Sequence, residues 1–223
     1  ADLISLLLHA RHEENGEPMT DHEIAEEALG MIIGGHETSS SALAWIWYEL
    51  DQNPAVRDRL FAEVDEVIGS QPLSPEHLSR LTYTRMVIDE TLRLHPPFWF
   101  ENRNAAVDVE LGGEHIPKGS VVVFTRYSLH RHPEFWKEPE TFNPERFRPD
   151  HEENKRSIHA YVPFGGGPRI CIGVHFATME LVIILAVVAQ RYKVKLDSSH
   201  RHEMAAHLTM TPKYGVKVKI ENR

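Results

Sequence analysis

Apolar residues return every three or four positions along most of the chain and alternate with polar ones only in short stretches. Behind Pro54, residues Val56, Leu60, Val64 and Val67 share one helical face, and Gly69 ends that helix. Thr20 and Glu23 stand at capping-box spacing ahead of a much longer helical pattern, which runs to Asn53-Pro54. At 1.5 Å per residue this helix would be roughly 45–50 Å long. Its middle, "ALGMIIGG", is apolar on every side and is expected to be buried. Ser74-Pro75 opens a short helix. Residues 83–94 read as another, ended by His95-Pro96-Pro97, and a last buried helix covers about 173–191. Alternation appears in "DVELGGEHIPKGSVVVF", two strand patterns around Gly-Gly and Pro-Lys-Gly turns, and in the tail "LTMTPKYGVKVKI", which reads as a β-hairpin. The four prolines of 133–150 predict ordered loop. The fold expected is mainly α with small β-sheets at the edges, in one domain over 1–223.

Composition narrows the function classes. Apolar residues make up 41% and charged ones 26%, as in ordinary soluble domains. A net charge of −9 without a basic block argues against nucleic acid as a partner. No apolar run reaches the roughly 18–20 residues of a membrane span, "LVIILAVVA" being the longest, and "ADLISLLLHAR" lacks the basic start of a signal peptide. A cytoplasmic location is expected. The chain reads as starting inside an apolar helix with no cap at Ala1, as a fragment would. Most of the fifteen histidines, including His132, His200 and His202, lack a carboxylate pattern around them and read as surface residues.

The one cysteine, Cys171, cannot form an intrachain disulfide. A free cysteine is most often a small core residue, but the setting "FGGGPRICIG" argues otherwise. Gly165, Gly166 and Gly167 let the backbone approach something flat or bulky. Cys171 falls just before a helix, where free N–H groups favour a thiolate, and Arg169 adds a cation. Such a thiolate is a metal ligand or a nucleophile. Zinc would want three or four ligands and there is no second cysteine. A cysteine protease would want a paired histidine, which sequence leaves open. Haem iron takes a single proximal ligand from the protein, and thiolate is one of its choices.

"FGGGPRICIG" resembles the haem-binding loop of the cytochrome P-450 monooxygenases, F-x-x-G-x-R-x-C-x-G. Phe164, Gly167, Arg169, Cys171 and Gly173 stand at every fixed position. Three further segments follow in the family's order. In "GGHETS", Gly34 and Thr38 share a helix face, and the adjacent glycines Gly34 and Gly35 cost about 2 kcal/mol relative to alanine. A helical threonine usually bonds the carbonyl one turn back or faces water. The resemblance implies a helix that bulges over the haem here, with Thr38 and Glu37 passing protons to dioxygen and His36 at a variable position. In "ETLRLHPP", Glu90 and Arg93 lie three apart on a face with Met86, Val87 and Leu94, so the pair is expected to be buried and to need further partners. The resemblance supplies Arg146 of "FNPERF" and makes the set structural, a support for the cysteine loop. Arg103, in "ENRNAAVDVELGG", would bind a haem propionate together with Arg169 through charge-assisted bonds. His130, in "SLHRHPEFW", resembles a family loop near the haem.

The likeness spans all 223 residues and only the C-terminal half of the family's fold, including the long oxygen-activation helix and the cysteine loop. It implies haem b, with electrons from NAD(P)H through a separate ferredoxin or flavoprotein reductase, and one oxygen atom of dioxygen entering a hydrophobic small-molecule substrate. Leu29, Ile33, Phe98, Trp99, Leu208 and Thr209 would border the substrate pocket, although packing explains these apolar and aromatic positions equally well. The family's upstream half supplies a tryptophan and a basic residue for the other propionate, the lid of the pocket and, in some members, a membrane anchor. The rival readings are a haem-thiolate peroxygenase or rearrangement enzyme, and a truncated, non-catalytic haem-binding remnant. Without the upstream half, the chain alone is expected to hold haem poorly.

Overall fold

Thr20 and Glu23 close a reciprocal cap: Thr20 N donates to Glu23 Oε2 at 2.7 Å and Glu23 N to Thr20 Oγ1 at 3.3 Å. They start the longest helix of a computed structural model that describes residues 2–223, the side chain of Asn154 excepted. The helices are α1 (Leu3–His9), α2 (Asp21–Gln52), α3 (Pro54–Val67), α4 (Pro75–Leu78), α5 (Thr82–Leu94), α6 (Arg126–Leu129) and α7 (Val174–Arg191). The strands are β1 (Phe100–Asn104), β2 (Val109–Leu111), β3 (Glu114–Ile116), β4 (Val121–Thr125), β5 (Tyr192–Leu196), β6 (Met204–Ala206), β7 (Met210–Pro212) and β8 (Val218–Asn222). The mainly helical class with small sheets is the one predicted. The chain divides into two compact units, residues up to Thr38 and residues from Ser39.

In the first unit, α1 has its own cap. Asp2 Oδ1 accepts from Ser5 N at 2.8 Å and caps α1. Ala1, where the sequence reads without a cap, lies outside the described residues. The apolar middle of α2 is not buried as expected: Leu29, Ile32 and Ile33 are 56, 66 and 62% exposed. An all-round apolar stretch signals the need for a covering surface without specifying which part of a chain provides it.

The second unit has the core. Ala42, Ile46 and Leu50 of α2 pack with Leu60 and Val64 of α3, Val87 and Ile88 of α5, and Leu181, Leu185, Ala186 and Ala189 of α7. By length and composition α7 could cross a membrane, contrary to the expectation from its contiguous apolar run. A run counts unbroken apolar residues, whereas a span tolerates the scattered polar ones of this helix. Here its apolar residues go partly into the core and partly, as at Phe176 and Met179, to the surface.

The strands form antiparallel two-stranded sheets: β1 with β4, β2 with β3, β5 with β8 and β6 with β7. Gly112 and Gly113, with φ of 61° and 85°, make the β2–β3 turn as read. One strand is unforeseen and one expectation fails. β4 pairs with β1, a strand in a polar sequence with no alternation to reveal it. The tail is no hairpin: β7 pairs back to β6, and β8 to β5 at the end of α7. Local pattern marks extended segments, but partner choice is non-local.

Candidate haem-thiolate site

The cysteine loop is built from backbone bonds that glycine makes possible. Cys171 N donates to Phe164 O at 2.9 Å, Gly165 N to Val162 O at 3.0 Å and Ile170 N to Gly167 O at 3.1 Å. Gly165 and Gly167 sit at φ of 80° and 70°, a region that side chains disfavour. Between them the chain passes into a short 3-10 turn, Gly167–Arg169. Gly173 then caps α7, and a Cβ on it would stand 3.8 Å from the Cys171 sulfur. Phe164 packs against the core, which anchors the loop's upstream end. Cys171 and Arg169 are exposed. Ile170, Ile172 and Phe176 around them are exposed as well. An exposed thiol at the head of a helix, ringed by unburied apolar side chains, is not the inert core cysteine that base expectation favours.

What Gly165 approaches closely is a guanidinium–carboxylate pair. A Cβ there would lie 3.2 Å from Arg126 Nη2 and 3.6 Å from Glu101 Oε2. Arg126 is buried. Its Nε donates to Val162 O at 3.0 Å, its Nη1 to Phe98 O at 3.1 Å and its Nη2 to Glu101. Burial pulls the Arg126 guanidinium below its usual range, while Glu101 resists that shift. Glu101 also pairs with Arg103, which is exposed. Arg103, Glu101, His159, Val162 and Gly166 border one open cleft of about 360 Å³. Neither Arg126 nor Glu101 stood out in the sequence, where single charges in a loop carry no signal.

Beneath the loop lies a buried ionic cluster. Glu90 and Arg93 side chains are both 0% exposed, with Arg93 Nε and Nη2 donating to Glu90 Oε2 and Oε1 at 2.7 and 2.9 Å. Arg93 Nη1 reaches His130 O and Pro139 O at 2.8 and 2.7 Å, and Asn143 N donates to Glu90 Oε1 at 2.8 Å. Burial pushes the Glu90 carboxyl up, and these donors oppose it. Arg146 Nε stands 3.4 Å from Glu90 Oε1, but its hydrogen bonds go elsewhere. Its Nη1 donates to both oxygens of Glu153 at 2.7 Å and its Nη2 to Glu138 O at 2.8 Å. Glu153, seven residues downstream, is the partner that sequence reading missed.

His130 links this cluster to the cysteine loop. It is fully buried. Nδ1 lies 3.3 Å from Arg93 O, and Nε2 accepts from Val162 N at 3.0 Å. That makes Nδ1 the protonated nitrogen. Burial pushes its pKa down to about 3. His202 departs from its reading as a surface residue: it is half-buried, with its ring 5.5 Å from that of Tyr48.

The remaining predicted positions divide between the units. In the first, α2 runs unbroken through Gly34 and Gly35, without the expected bulge. Thr38 Oγ1 donates to Gly34 O at 2.7 Å, so that hydroxyl spends its proton on the helix's own carbonyl. Glu37, Leu29 and Ile33 are exposed. In the second, Trp99 Nε1 donates to His207 O at 2.8 Å and Met210 N to Pro97 O at 2.7 Å, so the segment holding Phe98 and the turn holding Leu208 and Thr209 are one structure. Phe98 and Leu208 are exposed and Thr209 is buried.

Among the described residues no three His, Cys, Asp or Glu side chains converge on a metal-binding arrangement. A single exposed thiol fits an iron that arrives with a ring of its own ligands, as haem does.

Comparison with known proteins identifies the family. The chain matches the family model described as Cytochrome P450 over residues 1–220. It is 40% identical over 194 residues to cyclooctatin synthase and 38% identical over 195 residues to cyclooctat-9-en-7-ol 5-monooxygenase, both of Streptomyces melanosporofaciens, covering 87% of this chain and 42% of each relative. It is 37% identical over 225 residues to Cytochrome P450 4V2 of Mus musculus, covering 99% of this chain and 42% of that one. The solved structure of retinoic acid bound cyanobacterial CYP120A1 superposes with a TM-score of 0.94 at 33% identity, over 100% of this chain and 51% of that one. The chain thus spans about half the length of the proteins it matches, and over that length it belongs to the cytochrome P450 family.

Proposed function

We propose that this chain is the haem-bearing part of a haem-thiolate monooxygenase, which inserts one oxygen atom of dioxygen into a hydrophobic organic substrate. One observation supports this above the rest: the only cysteine is an exposed thiol at the head of α7, on a loop that glycines and a buried ionic cluster hold in place. When bound, haem supplies the redox and oxygen chemistry, with electrons from NAD(P)H through a separate reductase.

The chain's own residues bind, orient and handle protons. Cys171 Sγ would ligate the haem iron. Arg169 and Arg103 neutralise the propionates. Phe164, Gly167 and Gly173 fix the path of the loop. Gly34 and Gly35 present α2 backbone without side chains, so a flat ring can approach. Thr38 Oγ1, now donating to Gly34 O, accepts and passes protons when its hydroxyl turns, and Glu37 relays them from solvent. In the second unit the Phe98–Trp99 segment and the Leu208–Thr209 turn offer apolar surface to a substrate, and in the first Leu29 and Ile33 offer exposed apolar side chains of their own. Two similar proteins, a cyclooctat-9-en-7-ol 5-monooxygenase and a cyanobacterial structure with retinoic acid bound, support a hydrophobic substrate class.

The haem-loaded enzyme of which this chain is the haem-bearing part, given NADPH, a reductase and a panel of apolar compounds, should consume dioxygen and release hydroxylated product. Haem uptake with no substrate-dependent oxygen consumption contradicts the monooxygenase reading.

A further inference from the structure

We infer that Arg126 is a positioning residue that sets the place of the Cys171 loop and, with Glu101 as its counter-charge, supplies a fixed positive charge beside that loop. The inference rests on the proposed role of Cys171 as haem ligand and adds a residue to it.

Three observations converge on Arg126. Its guanidinium uses its donors on three different segments: Val162 O at the start of the cysteine loop, Phe98 O just ahead of β1, and the Glu101 carboxylate in β1. A planar fork of this kind fixes orientation as well as distance, which a single ammonium cannot do. Next, the loop comes close enough to need glycine: at Gly165 a Cβ would meet Nη2 at 3.2 Å, and the backbone there has φ of 80°. The first glycine of the "FGGGP" run is thus shaped by a protein side chain. Lastly, Arg126 is buried and its charge is paired with the Glu101 carboxylate. A cation that is only a surface feature would be screened, whereas a buried one acts at low dielectric. His130 holds the same Val162 by its amide, so Val162 is pinned at both its N–H and its carbonyl. The loop presents the thiol of Cys171, nine residues after that fixed point, and Cys171 N closes it by bonding Phe164 O at 2.9 Å.

Arg126→Lys and Arg126→Met separate the two parts of the role. Lysine keeps the charge facing Glu101 but cannot reach both carbonyls, and methionine keeps bulk with neither charge nor donors. Amide hydrogen exchange across 162–171 in the haem-loaded protein should quicken at least tenfold in both variants, while the amides of α5 keep parental rates. The iron reduction potential should stay near the parent value in Arg126→Lys and move negative in Arg126→Met, because removing the buried cation leaves Glu101 with only the exposed Arg103 as partner and makes gain of an electron less favourable. Parental loop exchange in either folded variant overturns the positioning role. Equal potentials in parent, Lys and Met variants overturn the charge role. Should Arg126→Met fail to fold, the Lys variant decides the positioning role, and Glu101→Gln, which leaves Arg126 unneutralised and should shift the potential positive, decides the charge role. If the parent protein itself shows no thiolate-type carbonyl spectrum, the haem-ligand reading has failed, and the loop exchange still reports on the brace.

Discussion

Arg93 grips Glu90 with two parallel bonds of 2.7 and 2.9 Å, and neither side chain reaches solvent. A buried pair of this kind gives little net stability, because desolvation offsets its attraction, but losing one member strands the other. Glu90→Ala should therefore cost about 3–5 kcal/mol. Asn143 N also loses its acceptor, and the segment that holds Arg146 loosens with it. Soluble yield and haem content should both collapse. Equilibrium denaturation of whatever folds, together with pigment per protein, is the measurement. Full haem content in a normally stable variant would contradict the structural role.

His130 gives the fold a pH dependence of definite sign. Its folded pKa is about 3, against an ordinary 6.5. Between those values the unfolded chain takes up a proton that the folded chain refuses. The group's contribution is therefore fully present above about pH 6.5 and falls by roughly 1.4 kcal/mol per pH unit as pH drops toward 3. Asp89 and Glu90, whose carboxyls are pushed up by burial, titrate with the opposite sign. The parent and His130→Gln should be compared by denaturant melts from pH 7 to 4.5, glutamine retaining an acceptor for Val162 N. The variant should show the flatter acid slope, and parallel slopes would rule out the buried neutral histidine.

Neighbouring glycines should respond differently. Gly165→Ala combines φ of 80° with a Cβ 3.2 Å from Arg126 Nη2, and should cost about 1–3 kcal/mol through strain. At Gly166, φ is −160° and a Cβ would meet nothing within 4 Å, so Gly166→Ala should leave the stability of the apo chain within about 0.5 kcal/mol of the parent. Melting temperatures of the two apo variants check this, and equal losses would contradict it.

How far the sequence reveals these features follows from how local each one is. The Thr20–Glu23 cap, the start and stop of α3 and the Gly112–Gly113 turn are decided within a few residues, and they appear as read. So is the cysteine loop's position before α7. The strand partners are not local: β1 is polar, and only pairing with Val121–Thr125 makes it a strand. Arg126 and Glu153 stayed unseen for the same reason. Each is an unremarkable charge until folding brings it to Val162 or Arg146. Burial in the middle of α2 was misjudged because apolar character reports a need for cover and not its source.

Thr38 is held as a helical threonine by Gly34 O, and its catalytic use requires that bond to exchange. In the active enzyme, Thr38→Ala should keep NADPH-driven oxygen consumption within a few-fold of the parent while most of the electrons go to peroxide. Thr38→Ser, which keeps the hydroxyl, should restore coupling. Product formed per NADPH consumed is the readout, and an alanine variant coupled as well as the parent would reduce Thr38 to packing.

The central claim is that Cys171 Sγ holds haem iron. The carbon-monoxide difference spectrum of the reduced, haem-loaded protein tests it most directly, measured side by side for the parent and Cys171→Ser. The parent should give the long-wavelength band of a thiolate-ligated carbonyl, and the serine variant should lose it, because a neutral hydroxyl is a poor iron ligand. The same thiolate band in Cys171→Ser, or its absence from a haem-loaded parent, would contradict the account.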